Sequence, residues 1–380
     1  MHNGRSLNIQ FIRPFAILWI ILVLVSFQDV FAQKANGKKT PELDIRFGLA
    51  TYYDDNILRY SDKYLDRFMN NEDPGRFHID TYDDIVLNPS LEITGTYRLS
   101  GKMKSELSLE YSPRFYCVNG IKNWNYLAIG YRQYFTRKAS FRLIYAYIPD
   151  YYIRHFQDDD WYAVYGDVPE QYQPMGFAKN NYGVWVQNTF FRNTTIRASF
   201  YYAQYYYNKH FTEYDSKDLS AGGRIFQPVG EDLKLELAYE FTNSDAKGFD
   251  EPGETKENSD ESDATYYENG FEGKITWYIP HFFDLHHNLS LQGGFQKRIY
   301  TSEHYLELDP LHVGREDNIS QFSMQYDVRL IKSLNLKVYY NWFMRNTDTR
   351  AEQNKEYVSA EKDYRQDQFG FELIYNLSFK

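Results

Sequence analysis

The stretch Gln368-Phe369-Gly370-Phe371-Glu372-Leu373-Ile374-Tyr375-Asn376-Leu377-Ser378-Phe379 reads as one extended strand. Phe369, Phe371, Leu373, Tyr375, Leu377 and Phe379 share a face, while Gly370, Glu372, Asn376 and Ser378 share the other, because successive side chains of a strand point to opposite sides. Ile374 alone departs from the pattern. A strand with one apolar and one polar face belongs either to a soluble sandwich or to a membrane barrel, with apolar side chains in lipid and polar ones in the lumen.

The same period of two recurs along the chain and gives fourteen candidate strands. They cover residues 43–53, 85–99, 103–116, 123–135, 140–148, 181–191, 195–207, 217–227, 233–241, 266–278, 286–299, 318–330, 334–345 and 368–379. Alternation is cleanest where Leu233, Leu235, Leu237 and Tyr239 oppose Lys234, Glu236 and Glu240. It is least regular in the sixth strand, whose polar face is interrupted by Trp185 and Phe191. Short turns, as at Ser100-Gly101-Lys102, Arg192-Asn193-Thr194, around Pro280 and at Ile331-Lys332-Ser333, alternate with long connections at 54–84, 149–180, 242–265, 301–317 and 346–367. An even strand count with this asymmetry predicts an all-β, antiparallel, up-and-down transmembrane barrel of about 14 strands, with short periplasmic turns and long extracellular loops. Several connections this long weigh against a compact soluble sandwich.

Composition agrees with that reading. The chain has 380 residues, a formal net charge of -10 and a mean hydropathy of -0.65, with 37 Tyr and 28 Phe. The charge argues against nucleic-acid binding, and interfacial aromatic girdles would absorb the aromatic excess. After residue 32 no apolar run approaches the roughly 20 residues of a membrane-spanning helix, so a membrane can be crossed here only by a closed barrel. At the start of the sequence, Arg5 and Arg13 precede an apolar core from Phe15 to Ser26, and Val30-Phe31-Ala32 has the form of a signal-peptidase site. Residues 1–32 are therefore expected to be a signal peptide, 33–42 a short periplasmic segment and 43–380 the barrel. Cys117 is the single cysteine, so no internal disulfide contributes to stability.

The terminal strand resembles the assembly signal of outer-membrane β-barrel proteins, with Gln368, Gly370, Leu373 and Tyr375 at its polar, glycine and apolar positions, and an aromatic at Phe379. Lys380 departs from the usual aromatic last residue. Tyr52-Tyr53-Asp54-Asp55-Asn56-Ile57-Leu58-Arg59 is similar to the first hairpin of β-barrel porin families. The resemblance implies export to the outer membrane of a Gram-negative cell and contact there with lipid, lipopolysaccharide and the barrel-assembly machinery. It also implies a porin-like channel for small polar, anionic or saccharide solutes, with no cofactor. A non-conducting docking barrel, as in surface-polysaccharide export, is the alternative, and an outer-membrane hydrolase a further one. Oligomeric state is left open.

Three sets of residues are candidates for chemistry. On the polar faces, Arg98, Glu106, Glu110, Arg132, Arg142, Arg197, Arg224, Lys234, Glu236, Glu240, Glu272, Lys274, Asp327, Arg329, Lys337 and Glu372 line either a hydrated pore or a network of ion pairs that fills the barrel. Asp54, Asp55 and Asn56 form a polar cluster at the extracellular mouth, either a site for Ca²⁺ or a polar ligand, or an Asx turn closed on its own backbone. Aromatics at Tyr151, Tyr152, Trp161, Tyr162, Tyr165, Tyr172 and at Tyr201, Tyr202, Tyr205, Tyr206, Tyr207 suit carbohydrate stacking or interfacial packing. The acidic segment 242–265 reads as a solvated loop. The histidines are scattered and none adjoins a nucleophile motif, so no enzyme is expected.

Overall fold

The computed structural model describes residues 42–99, 103–282 and 285–379. The expected signal peptide, most of the periplasmic segment, the Ser100-Gly101-Lys102 turn and Lys380 lie outside the described residues.

Fourteen long strands carry the barrel: β1 (Glu42–Asp54), β2 (Asp84–Leu99), β3 (Met103–Tyr111), β4 (Leu127–Tyr134), β5 (Ala139–Gln157), β6 (Tyr172–Thr189), β7 (Thr195–Tyr207), β8 (Ser216–Val229), β9 (Leu233–Ala246), β10 (Tyr266–Phe282), β11 (Leu285–Tyr300), β12 (Arg315–Ile331), β13 (Leu334–Thr349) and β14 (Tyr364–Phe379). A two-residue piece, Phe115–Tyr116, prolongs β3 against β2. Each strand pairs antiparallel with its sequence neighbours. The sheet closes because β1 pairs β2 on one side and β14 on the other, from Leu43 opposite Phe379 to Asp54 opposite Gln368. Closure leaves no sheet edge, so every backbone polar group within the wall can be paired without water.

Side chains sort as the alternation requires. In β1, Phe47 and Leu49 are exposed on the outside, whereas Ala50 and Asp54 are buried inside. In β9, Leu235, Leu237 and Tyr239 are exposed and Glu236 carries ion pairs within. An apolar exterior around a polar interior has no stable place in water; in hydrocarbon it is the expected arrangement.

The structure moves several boundaries. The period of two predicts a long connection from Pro149 to Asn180, but β5 continues to Gln157 and β6 begins at Tyr172, with register shifts between Ile148 and Tyr151 and between Tyr152 and Arg154. A proline is tolerated there because residues beside a bulge are released from the ladder. Pro280 lies within β10 and not in the turn that follows it. The long connections also hold structure: α1 (Asp62–Met69) lies between β1 and β2, α2 (Asp159–Tyr165) between β5 and β6, and α3 (Lys355–Lys362) between β13 and β14.

Candidate functional site: the barrel interior and its long-loop mouth

The inner face of β3 to β10 holds most of the expected charged residues, and they fall into two groups. One group is paired. Glu106 lies 2.6 Å from Lys104, Arg224 2.8 Å from Glu272 and 3.4 Å from Glu236, Lys234 2.8 Å from Glu236, and Lys337 2.6 Å from Glu372. Asp327 accepts from Gln325 at 2.7 Å. Arg98 sits near the short-turn end of β2 opposite Lys104, and Arg329 lines a small cavity at that end with Arg46, Asp327 and Lys337.

The second group consists of Arg132, Arg142 and Arg197, none of which has a carboxylate within 4.0 Å among the described residues. Their donors go to neutral oxygens instead. Arg132 reaches Ser140 Oγ at 3.2 Å, Arg142 reaches Ser108 Oγ at 3.2 Å, and Arg197 reaches Gln187 Oε1 at 2.9 Å. The register makes them neighbours: Arg132 is opposite Arg142, Arg142 opposite Trp185, and Arg197 opposite Arg224. Trp185, which looked like a flaw in the sixth strand, points inward and is buried, with Arg132 and Arg197 5.0 and 4.3 Å from its ring. Like charges directly opposite destabilise a sheet, and the indole's electron-rich ring partly offsets that here. Glu110, Glu240 and Lys274 likewise form no ion pair within 4.0 Å among the described residues.

The Asp54, Asp55 and Asn56 cluster is closed on its own surroundings. Asp54 accepts from Gln366 Nε2 at 2.8 Å, from Gln368 Nε2 at 2.8 Å and from the Asn56 amide at 3.1 Å. The Asn56 side chain accepts from the Tyr60 amide at 2.7 Å and donates to the Tyr60 carbonyl at 2.8 Å, and Asp55 accepts from the Asp367 amide at 2.7 Å. These bonds anchor the first long loop to β14 and leave Asp54 and Asn56 buried. From that anchor the loop packs Ile57, Leu58, Tyr60, Tyr64 and Ile79 against Tyr152 of the barrel wall. The assembly-signal residues divide by face: Gln368 and Gly370 turn inward, while Leu373, Tyr375 and Phe379 turn outward and are exposed.

Of the aromatics read as loop residues, Tyr151 stacks on Phe177 inside the strands at 5.1 Å and Tyr152 is buried. Tyr205 and Tyr207 both contact Phe177. Trp161 pairs with Tyr165 on α2, where Tyr162 and Tyr165 are exposed.

Three constellations at the mouth have no single-residue signature in the sequence. Asp160, Asp250 and Glu261 place ligand oxygens within 4.8 Å of one another, a donor set of the kind hard cations take. Burial pushes Glu213 up to about 9, with Glu261, Asp250 and Asp158 adding to the rise. Asp309 is fully buried and is met by Ser302 Oγ at 2.8 Å, His312 Nδ1 at 2.7 Å and the Asp263 amide at 3.1 Å. In a nucleophilic triad the imidazole stands between acid and hydroxyl; here the carboxylate stands between them, so the unit ties two loops together and does not activate Ser302. The third constellation is the latch of Glu361 on α3, which takes Lys63 and Tyr64 of α1.

Closed antiparallel topology, an apolar exterior and a polar interior make this chain an outer-membrane-type β-barrel. No family model and no curated protein matches the sequence. Among solved structures, a bacterial polysaccharide outer membrane secretin aligns with TM-score 0.44 and 8% identity over 88% of this chain and 98% of its own. An anion-selective porin from Comamonas acidovorans gives 0.42 and 10% over 89% and 99%. The outer membrane protein OprD from Pseudomonas aeruginosa gives 0.39 and 8% over 90% and 95%. This chain is similar to all three in its barrel architecture.

Proposed function

We propose that the barrel is a porin-like channel for small polar solutes, saccharides among them, that favours anions. The observation that supports it is the run of Arg132, Arg142 and Arg197 along the inner wall, held side by side around Trp185 with no carboxylate partner within 4.0 Å among the described residues. A wall meant only to fill the barrel would pair these charges, as Arg224 and Lys337 are paired. Unpaired guanidinium groups attract anions and offer planar forks to carboxylate, phosphate or sulfate. Charges in a confined lumen also act on every permeant ion. The acidic loops lie at the mouth, where screening over about 10 Å at 0.1 M salt confines their influence.

The test is conductance of the refolded barrel in a planar bilayer under a salt gradient. Wild type should pass current with a reversal potential on the anion side, and joint replacement of Arg132, Arg142 and Arg197 by Gln should move it toward cation selectivity. A barrel without conductance, or one whose reversal potential ignores all three replacements, rejects the proposal. The docking-barrel alternative would then stand, and it has its own support in the first long loop, whose apolar cluster is folded into the mouth.

A further inference from the structure

The long-loop mouth encloses a cavity of about 890 Å³. Nine Arg and Lys side chains line it, and four of them act on one another along one wall: Arg154 from the end of β5, Arg315 and Arg345 from β12 and β13, and Lys362 from the end of α3. Their compensation is uneven. Arg315 makes a two-pronged contact with Asp317, at 2.7 and 2.6 Å, while Arg345 reaches only the edge of that same carboxylate at 3.9 Å. Arg154 and Lys362 have no carboxylate within 4.0 Å among the described residues, and both lie 5.5 Å from the ring of Phe156. One arm of Arg154 donates to the Leu58 carbonyl at 2.8 Å, but its buried Nε has no hydrogen-bond partner among the described residues. Burial, followed by Arg315, Arg154 and Arg345, drives the Lys362 ammonium well below its ordinary pKa.

Of the eight carboxylates that line the cavity, none lies within 4.0 Å of Arg154 or Lys362 among the described residues. Glu361 is taken by Lys63 and Tyr64, and Asp158 by His210 at 2.7 Å. Glu213 and Glu261 are perturbed chiefly by burial and by other carboxylates, including Asp250, and not by these four cations. On this wall four basic groups share two nearby carboxylates, Asp317 and Glu361, so the Lys362 ammonium gives up its proton readily in the absence of an anion, and the Arg154 Nε, without a hydrogen-bond partner among the described residues, is buried beside it. Unpaired buried donors and neighbouring like charges both cost free energy, which an oxyanion would recover by charge-assisted hydrogen bonds.

We propose that Arg154, Arg345 and Lys362 form an oxyanion subsite at the mouth, which takes the sulfate, phosphate or carboxylate group of a solute. As a capture site for solute on its way through the barrel it rests on the channel reading, but binding itself needs no open pore.

Isothermal titration calorimetry of the full chain in detergent tests it, with sodium sulfate as titrant in a sodium chloride background of fixed ionic strength. Sulfate should bind saturably. Replacing Arg154 and Lys362 together by Gln should weaken binding at least about tenfold, since each removed charged hydrogen bond is worth about one decade or more. That variant should still show heat-modifiable migration, because the change relieves repulsion. Lys362→Arg should retain sulfate binding. In the Arg132, Arg142 and Arg197 triple variant the sulfate binding that depends on Arg154 and Lys362 should persist, whatever sulfate the inner wall itself takes up, so that loss of selectivity and loss of this subsite are separate results. Absence of a sulfate signal, or equal affinity in the double variant, overturns the proposal. Lipopolysaccharide, titrated in place of sulfate, distinguishes the source of the anion: binding of it through Arg154 and Lys362 with no response to sulfate would assign the site to lipid phosphate and reject a solute subsite.

Discussion

Gly370 shows how one residue can carry both closure and assembly. It faces the interior on β14 opposite Tyr52, and a Cβ at this position would meet the Thr51 carbonyl oxygen and the Tyr52 Cβ at 2.5 Å. Overpacking of this sort typically costs about 1–3 kcal/mol, and here it falls on the seam where the first and last strands join. Gly370→Val is expected to lower the fraction of heat-modifiable barrel recovered from membranes and to shift the urea midpoint of the purified protein downward. Gly293→Val supplies the control, since nothing lies within 4 Å of a Cβ there. Equal behaviour of the two variants would show that the tight contact at Gly370 has no energetic weight. Trp185 marks the limit of residue-scale reading from sequence. Its phase was visible as a break in the polar face, but its meaning was not, because Arg132 and Arg197 reach it from β4 and β7, 53 and 12 positions away in the chain.

At the scale of the element, all fourteen strands were legible because one face of each must meet hydrocarbon, which imposes a period of two that sequence records directly. The strand ends were not. Beyond the membrane the exterior no longer has to be apolar, so β5 runs from Ile148 through Arg154 to Gln157 without the alternation that identified its start. Loop packing was equally hidden, since it depends on contacts between loops distant in sequence. The Glu213 carbonyl accepts from Gly248 N at 2.8 Å and the Asp215 carbonyl from Lys247 N at 2.8 Å, which ties residues 208–215 to residues 247–265. Burial holds the Glu213 carboxyl at about 9 and the Glu261 carboxyl at about 8, against 4.5 for an ordinary Glu. The folded loops thus retain protons that the opened loops release above about 4.5. Their packing is firmest below that pH and weakens steadily as pH rises toward 8 to 9. Hydrogen exchange, corrected for intrinsic rates, should show protection of both segments falling between pH 5 and pH 9, and Glu213→Gln should flatten the trend. Protection that rises with pH would mean that these carboxyls are charged in the folded mouth.

The whole molecule is polar along its axis: its short connections lie at one end, and the helices, the acidic segment and the 890 Å³ cavity lie at the other. That polarity fixes how the barrel must sit. The wall is apolar outside, so neither end is distinguished by the membrane itself; what differs is the bulk that has to pass through the wall during insertion. Short turns can remain on the side from which the chain arrives, and the large loops then face the cell exterior. Lys332, exposed in the turn between β12 and β13, and Glu257, exposed in the loop between β9 and β10, report on the two ends. Cys117 is itself exposed at the long-loop end, so the reporters are placed singly in a Cys117→Ser background. With a membrane-impermeant maleimide on intact cells, Glu257→Cys should label and Lys332→Cys should not, and both should label once the outer membrane is permeabilised. The opposite pattern on intact cells would invert the barrel. The oxyanion wall would then face the periplasm, and the direction of capture proposed for it would have to be reversed even if every contact within the cavity were correct.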